Sequence, residues 1–121
     1  MVNPVDTFFG AWGMDNNTDR ASAISACMTA SATYADPRSD GILTGTDAIT
    51  TYVSMFSANA PGWSARVVKS DEIAGTRRVT VAFGGPGPDG SDMIQHGQYF
   101  IDFDDTRIAR MVGFVGTGAP E

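Results

Sequence analysis

The spacing of apolar residues changes once along the chain, and this change restricts the folds that the chain can form. Up to about residue 60, apolar side chains recur every three or four positions, as in Val5, Phe8, Phe9 and Trp12, which is typical of helices with one buried face. From Trp63 onward, apolar and polar residues alternate, which is typical of strands with one buried face. Helices followed by strands predict an α+β fold, with the helices packed on one face of an antiparallel sheet.

Capping residues divide the first half into three predicted helices. Asn3, followed by a proline, begins the first helix, since its side chain can accept hydrogen bonds from free amides and a proline loses none there. The second helix, capped by Asn17 or Thr18, is predicted to extend to about Ala32. The third begins at Thr46.

The second half predicts a meander of four antiparallel strands. Alternation covers residues 63–67, 79–83, 93–103 and 108–115, and the stretch GGPGPDGS is a hairpin loop between the second and third of these. The side chains on the buried faces of these helices and strands predict the core: Phe8, Trp12, Ile49, Val53, Phe56, Val81 and Ile101.

Composition excludes several classes of function. The chain has 121 residues and a net charge of -6, so a nucleic-acid partner is not expected, because phosphate backbones repel acidic surfaces. We expect one domain, residues 1–121, in the cytoplasm, since the sequence contains neither a signal peptide nor a membrane span. The only cysteine, Cys27, and the only histidine, His96, lie far apart in the sequence, so we expect no metal and no other cofactor.

Asp36 stands before a proline and has two interpretations. As a turn residue, its carboxylate would cap nearby amides or pair with Arg38. Strand alternation instead predicts that Tyr34 and Asp36 share a face, and the proline ring restricts Asp36 to an extended backbone. A carboxylate surrounded by apolar groups becomes a stronger base. The residues alone leave both interpretations open.

Several short motifs occur in an order that is typical of one superfamily. They are Tyr-x-Asp-Pro at 34–37, Gly-x-x-Ala-Ile at 45–49 and the closing stretch GQYFIDFDDTRIARMVGF at 97–114. With the three helices, they resemble the SnoaL-like branch of the nuclear transport factor 2-like and ketosteroid isomerase superfamily over nearly the whole chain. The resemblance implies an α+β roll, in which three N-terminal helices wrap a curved, cone-shaped antiparallel sheet around a deep pocket.

The resemblance also implies roles for individual residues. In ketosteroid isomerase, an aspartate takes a proton next to a carbonyl group and two hydrogen-bond donors hold the resulting enolate oxygen. Asp36 matches the position of that base, and Trp12 and Tyr99 match the positions of the donors. We therefore expect Asp36 and Tyr99 to be catalytic. The expected ligand pocket consists of mostly aromatic residues: Trp12, Tyr34, Tyr52, Phe56, Trp63, Phe83, Met111 and Gly113.

Two functions from different classes follow from this resemblance. The first is a cofactor-free enzyme, isomerase-like or cyclase-like, that transfers a proton on a small apolar carbonyl compound. The second is a non-catalytic ligand-binding or dimerisation domain. Epoxide hydrolysis, as in another branch of the superfamily, is rejected, because Gly97, Tyr99 and Gly113 occupy its Asp-Arg-Asp positions. We expect a homodimer through the outer face of the sheet, where alternation places an apolar patch with one histidine: His96, Gln98, Phe100, Val112 and Phe114.

Overall fold

Three helices and a six-stranded sheet make up the described part of the chain, which is residues 3–39 and 41–116 of a computed structural model. The helices are α1 (Pro4–Ala11), α2 (Asn17–Cys27) and α3 (Thr46–Asn59). The strands are β1 (Met28–Ala35), β2 (Leu43–Thr44), β3 (Ser64–Ile73), β4 (Thr76–Pro86), β5 (Asp92–Asp104) and β6 (Arg107–Val115).

The sheet is curved and does not close into a barrel. Its strand order is β2-β1-β6-β5-β4-β3. The four strands of the predicted meander, β3 to β6, pair antiparallel in sequence order, which confirms that part of the prediction. The prediction of a wholly antiparallel sheet was wrong at one place, because β1 lies parallel to β6 with Tyr34 opposite Met111. A short strand that carries Tyr34 and ends at Asp36 was expected after α2, but its parallel pairing with β6 was not.

The end of the second helix was also predicted wrongly. The helix ends at Cys27, and residues 28–35 form β1 instead of continuing the helix to Ala32. The stretch MTASATYA has no helical stripe, and its hydrogen bonds are made to β6 on one side and β2 on the other. The cap also differs by one position, since the Asn16 side chain accepts from the amides of Thr18 (2.8 Å) and Asp19 (3.0 Å).

The core lies between the helices and one face of the sheet. Six of the seven predicted core residues are buried, and Phe56 is half-buried against the others.

A charged side chain, Arg20, is also buried. Its guanidinium donates to the Ala11 carbonyl at 3.0 Å and to the hydroxyls of Ser54 (3.2 Å) and Ser57 (2.8 Å). Arg20 thereby links α2 to α1 and α3.

Candidate functional site

A cavity of about 300 Å³ lies between the helices and the sheet. Seven of its fourteen lining residues are aromatic, and its polar groups include a carboxylate, a guanidinium, an amide and the hydroxyls of Tyr52 and Tyr99. The lining residues come from the end of α1, from α3 and the loop after it, from the turn after β1, and from strands β4 to β6: Trp12, Asp36, Pro37, Arg38, Tyr52, Phe56, Ala60, Trp63, Phe83, Gln95, Gly97, Tyr99, Phe114 and Val115. This volume suits a small organic molecule of mainly apolar character.

Asp36 follows β1 directly and fulfils both of its alternative interpretations. Its Oδ1 accepts from the backbone amides of Arg38 (2.9 Å) and Ser39 (2.8 Å), which is the turn that the following proline predicted. The same carboxylate lines the cavity. Among the described residues, no ion pair joins it to the Arg38 guanidinium, whose side chain is exposed. The turn therefore fixes the carboxylate at the cavity wall.

Two tyrosines donate to this carboxylate. The Tyr34 hydroxyl donates to Oδ2 of Asp36 at 2.6 Å. The Tyr52 hydroxyl, from α3, lies 2.7 Å from Oδ1 and 2.8 Å from Oδ2, so it bridges both oxygens. With the two amides, four donors surround Asp36. An ionised carboxylate offers about four acceptor positions, so its acceptor capacity is filled.

The third tyrosine is connected to Asp36 through Tyr34. The hydroxyl oxygens of Tyr34 and Tyr99 are 3.3 Å apart. A phenol has one proton, and that of Tyr34 is donated to Asp36, so Tyr99 is the donor in this contact. The distance exceeds the usual range for an O–H···O bond. The Tyr99 hydroxyl is therefore held more loosely than the other two.

All three phenols stay protonated in the folded protein at neutral pH. Burial raises the pKa of Tyr34 well above its ordinary value, and the nearby Tyr99 and Asp36 raise it further. Burial also raises the pKa of Tyr52, with its hydrogen bond to Asp36 as the next cause. Burial is the main cause that raises the pKa of Tyr99, and the nearby Asp36 raises it further. The site thus contains three neutral phenols and one carboxylate.

One further donor belongs to the cavity wall. Trp12 is 2% exposed, and its indole Nε1 is buried without a hydrogen-bond partner among the described residues. The ring packs edge-on against Phe56 and Phe83, with centroids 4.8 Å and 5.4 Å away. By contrast, the indole of Trp63 donates to the Pro86 carbonyl at 3.0 Å. A buried donor without a partner is costly, and of the two indole N–H groups only that of Trp12 lacks a partner among the described residues.

The structure brings together most of the residues that the sequence singled out. Asp36 and Tyr99 line one cavity, as do five of the eight expected pocket residues: Trp12, Tyr52, Phe56, Trp63 and Phe83. The other three do not line this cavity. Tyr34 lies behind Asp36 with no exposed surface, and Met111 is equally buried in the core. Gly113 is covered by the ring of Tyr99.

Other residues at the site were not predicted. Ser39 supports the turn, since its hydroxyl accepts from the Asp36 amide at 3.0 Å; a serine three residues after an aspartate was the available signal. Gly97 and Gln95 line the cavity from β5, and Phe114 and Val115 from the end of β6. No periodic pattern in a sequence marks the rim of a cavity, so these four lining residues could not be predicted from the spacing of residues. His96 is not among the lining residues.

A second cavity, of about 930 Å³, lies at the other end of α1, near the β3–β4 and β5–β6 turns. Two of its charged side chains are paired with each other, since Arg77 bonds to Glu72 at 3.2 Å and lies 4.9 Å above the Phe103 ring. Burial raises the pKa of the Cys27 thiol there to about 12, so it is no nucleophile at neutral pH. The smaller cavity at Asp36 is therefore the candidate site.

Within the described ranges, no three His, Cys, Asp or Glu side chains are grouped closely enough to hold a metal ion. None of the helices in those ranges is long and apolar enough to cross a membrane.

Comparisons with known proteins agree with this architecture. A family model described as the SnoaL-like domain matches residues 5–111, which is most of the chain. The chain therefore belongs to the SnoaL-like family, as its motifs indicated. A search of curated proteins found no match.

Solved structures with the same fold cover nearly the whole chain. A candidate isomerase of the SnoaL-like family from Agrobacterium tumefaciens has a TM-score of 0.79 and 21% identity, over 93% of this chain and 94% of the other. A hypothetical protein with a ketosteroid isomerase-like fold from Catenulispora acidiphila, in complex with trimethylamine, has a TM-score of 0.76 and 14% identity, over 94% and 85%. A candidate SnoaL-like polyketide cyclase from Jannaschia sp. has a TM-score of 0.72 and 15% identity, over 93% and 84%. At these identities the likeness establishes the fold.

Proposed function

We propose that the chain binds a small carbonyl compound in the Asp36 cavity and transfers a proton on it without a cofactor. One observation carries the proposal: Asp36, Tyr99 with its loosely held hydroxyl, and Trp12, whose covered indole N–H has no partner among the described residues, line one cavity in which half of the lining residues are aromatic. Such a set can remove a proton next to a carbonyl and stabilise the charge that develops on its oxygen. The solved isomerase-like and cyclase-like relatives are compatible with this chemistry.

In the proposed reaction, an Asp36 oxygen takes the proton from the carbon next to the carbonyl. The electron pair of that C–H bond forms the carbon–carbon double bond of an enolate, and the carbonyl oxygen gains the negative charge. Tyr99 turns its loosely held hydroxyl from Tyr34 to this oxygen, and Trp12 donates its indole N–H. Asp36 then returns the proton to the carbon framework. Tyr52 must give up part of its contact with Asp36 first, because it occupies both carboxylate oxygens.

Exchange of carbon-bound protons for deuterium tests the proposal without knowledge of the natural substrate. The wild-type protein should accelerate exchange of the methyl protons of acetophenone or a related small ketone in deuterated water, as followed by NMR. Asp36→Asn should lose about 10²–10⁴-fold of that acceleration, which is the usual contribution of a general base.

Asp89→Asn is a matched control for this substitution. Asp89 also accepts from a nearby amide and hydroxyl, those of Ser91, but it is exposed and does not line the cavity. This variant should exchange protons as fast as wild type. Equal exchange by folded Asp36→Asn and wild type would contradict the assignment of the base.

A second candidate function is ligand binding without catalysis. It is favoured by the four donors around Asp36, which leave no acceptor position of the carboxylate free in the resting structure. If a panel of small ketones binds in the cavity but wild-type protein accelerates no exchange, this second function is the better description.

We also propose that the chain forms a homodimer through the outer face of the sheet. Phe100 and Phe114 are 37% and 54% exposed there, with their rings 5.7 Å apart, and such an apolar patch is unfavourable in water.

Analytical ultracentrifugation of the wild-type protein should give the mass of a dimer, and the Phe100→Lys variant should give the mass of a monomer. Ile73→Lys, an exposed apolar residue at the end of β3, is the control and should remain dimeric. A monomeric wild-type protein at micromolar concentration would contradict the proposal.

A further inference from the structure

The direction of the hydrogen bonds around Asp36 restricts what a ligand can present to this part of the cavity. Tyr52 and Asp36 are adjacent lining residues, and we refer to them as the acceptor wall. The Tyr52 proton is donated to the carboxylate, so the free positions on its oxygen can only accept. Tyr52 therefore presents acceptor positions to the cavity and no donor, while the acceptor positions of the Asp36 carboxylate beside it are already filled.

Two other lining residues carry donors. The Trp12 indole N–H is covered and has no partner among the described residues, and Tyr99 has a loosely held hydroxyl. Arg38 and Gln95 also line the cavity, but their side chains are exposed to solvent. The ring centroids of Trp12 and Tyr52 are 6.2 Å apart. One small molecule can thus contact the acceptor wall and the buried donors at the same time.

We infer that the ligand carries a hydroxyl group as well as a carbonyl group, so that it is a hydroxylated and not a purely apolar carbonyl compound. The hydroxyl donates to the acceptor wall, and the carbonyl accepts from Trp12 and Tyr99. A ligand without a donor would displace water from the half-buried Tyr52 oxygen and give it no partner in return, which is unfavourable for a polar group. This inference rests on the proposed cavity and specifies its ligand class.

Three matched probes test this inference: meta-hydroxyacetophenone, meta-methoxyacetophenone and acetophenone. Their affinities can be measured by NMR titration of the indole N–H signals of Trp12 and Trp63, the two tryptophans of the chain, which both line the cavity. The hydroxyl compound should bind at least about tenfold more tightly than the methoxy compound, since a site that hydrogen-bonds a hydroxyl discriminates strongly against analogues that lack it. All three should shift the Trp12 signal.

Asp36→Asn tests whether the acceptor wall causes this preference. The asparagine amide donates to the tyrosine oxygens and frees the Tyr52 proton, so the wall gains donors and the affinity ratio should fall towards one. Asp89→Asn should keep the wild-type ratio. Circular dichroism verifies that both variants fold.

Equal affinity of wild-type protein for the hydroxyl and methoxy compounds would overturn the inference, whatever the variants do. So would a wild-type ratio in folded Asp36→Asn, or no shift of the Trp12 signal with any probe at millimolar concentration. The proton-exchange experiment is independent of this outcome. If the protein prefers the hydroxyl compound but accelerates no proton exchange, the inferred ligand class stands and the catalytic proposal is wrong. If it accelerates exchange but shows no such preference, the catalytic proposal stands and the inferred ligand class is wrong.

Discussion

At the scale of single residues, the position of the Tyr99 ring depends on a missing side chain. Tyr99 lies opposite Gly113 in the β5–β6 pairing, and a Cβ atom built on Gly113 would lie 2.4 Å from the ring atom Cε2. We expect Gly113→Ala to push the ring away from Tyr34 and into the cavity. Urea denaturation should show a loss of about 1–3 kcal/mol, the usual cost of overpacking a core. The hydroxyacetophenone probe should bind more weakly.

Gly10 in α1 provides the control for this prediction. A Cβ atom there meets nothing within 4 Å, so Gly10→Ala should keep the probe affinity. It should raise stability by about 0.5–1 kcal/mol, because alanine is the better helix residue. Unchanged stability and affinity in Gly113→Ala would mean that the glycine does not determine where Tyr99 lies.

The polar residues of the site show what the sequence could and could not predict. Strand alternation correctly predicted that Tyr34 and Asp36 share a face, since the two side chains are hydrogen-bonded. The bridge from Tyr52 to Asp36 joins α3 to the turn after β1. Neither periodicity nor a motif reports such a contact, because it depends on how the helix packs over the sheet.

At the scale of helices and strands, the sequence predicted long periodic segments well and the junction between α2 and β1 poorly. The predicted spans 93–103 and 108–115 lie within one residue of the observed bounds of β5 and β6, whereas residues 79–83 are only the middle of β4 and the prediction of 63–67 missed the second half of β3. The residues of β1 are small and weakly patterned, so local preference did not distinguish strand from helix. Pairing with β6 determined the outcome, as tertiary contacts often do for such segments.

Arg20 is the clearest case of an element-scale contact that the sequence did not reveal. In a helical sequence, an arginine is usually an exposed residue. Here its guanidinium donates to carbonyl and hydroxyl oxygens of α1, α2, α3 and the turn after α1, including the Asn17 side chain and the Met14 carbonyl. The acceptors on α3, the hydroxyls of Ser54 and Ser57, are 34 and 37 residues away from Arg20 in sequence, so these contacts could only be found once the helices were packed together.

At the scale of the whole molecule, the tyrosine network predicts how stability depends on pH. The chain has three tyrosines, and all belong to the network at Asp36. Their pKa values are raised in the folded protein above the ordinary value of 10.0. In the unfolded chain they ionise near that ordinary pH. The stabilisation is therefore complete below about pH 10 and is lost as the pH rises towards the folded values.

We accordingly expect the free energy of unfolding to decrease as the pH is raised above about 9, where the Cys27 thiol ionises first in the unfolded chain. Above about pH 10, each buried tyrosine that keeps its proton only in the folded state adds a decrease of about 1.4 kcal/mol per pH unit. Tyr34 and Tyr99 are buried and should follow this slope, whereas half-buried Tyr52 should contribute less.

Urea denaturation across this pH range, with phenolate absorbance recorded in parallel, measures both the loss of stability and the ionisation of the tyrosines. Phenolate from Tyr34 and Tyr99 should appear only as the protein unfolds, and Tyr52→Phe should remove any earlier signal. Ionisation of all three tyrosines near pH 10 in protein that is still folded would show that the network does not hold their protons.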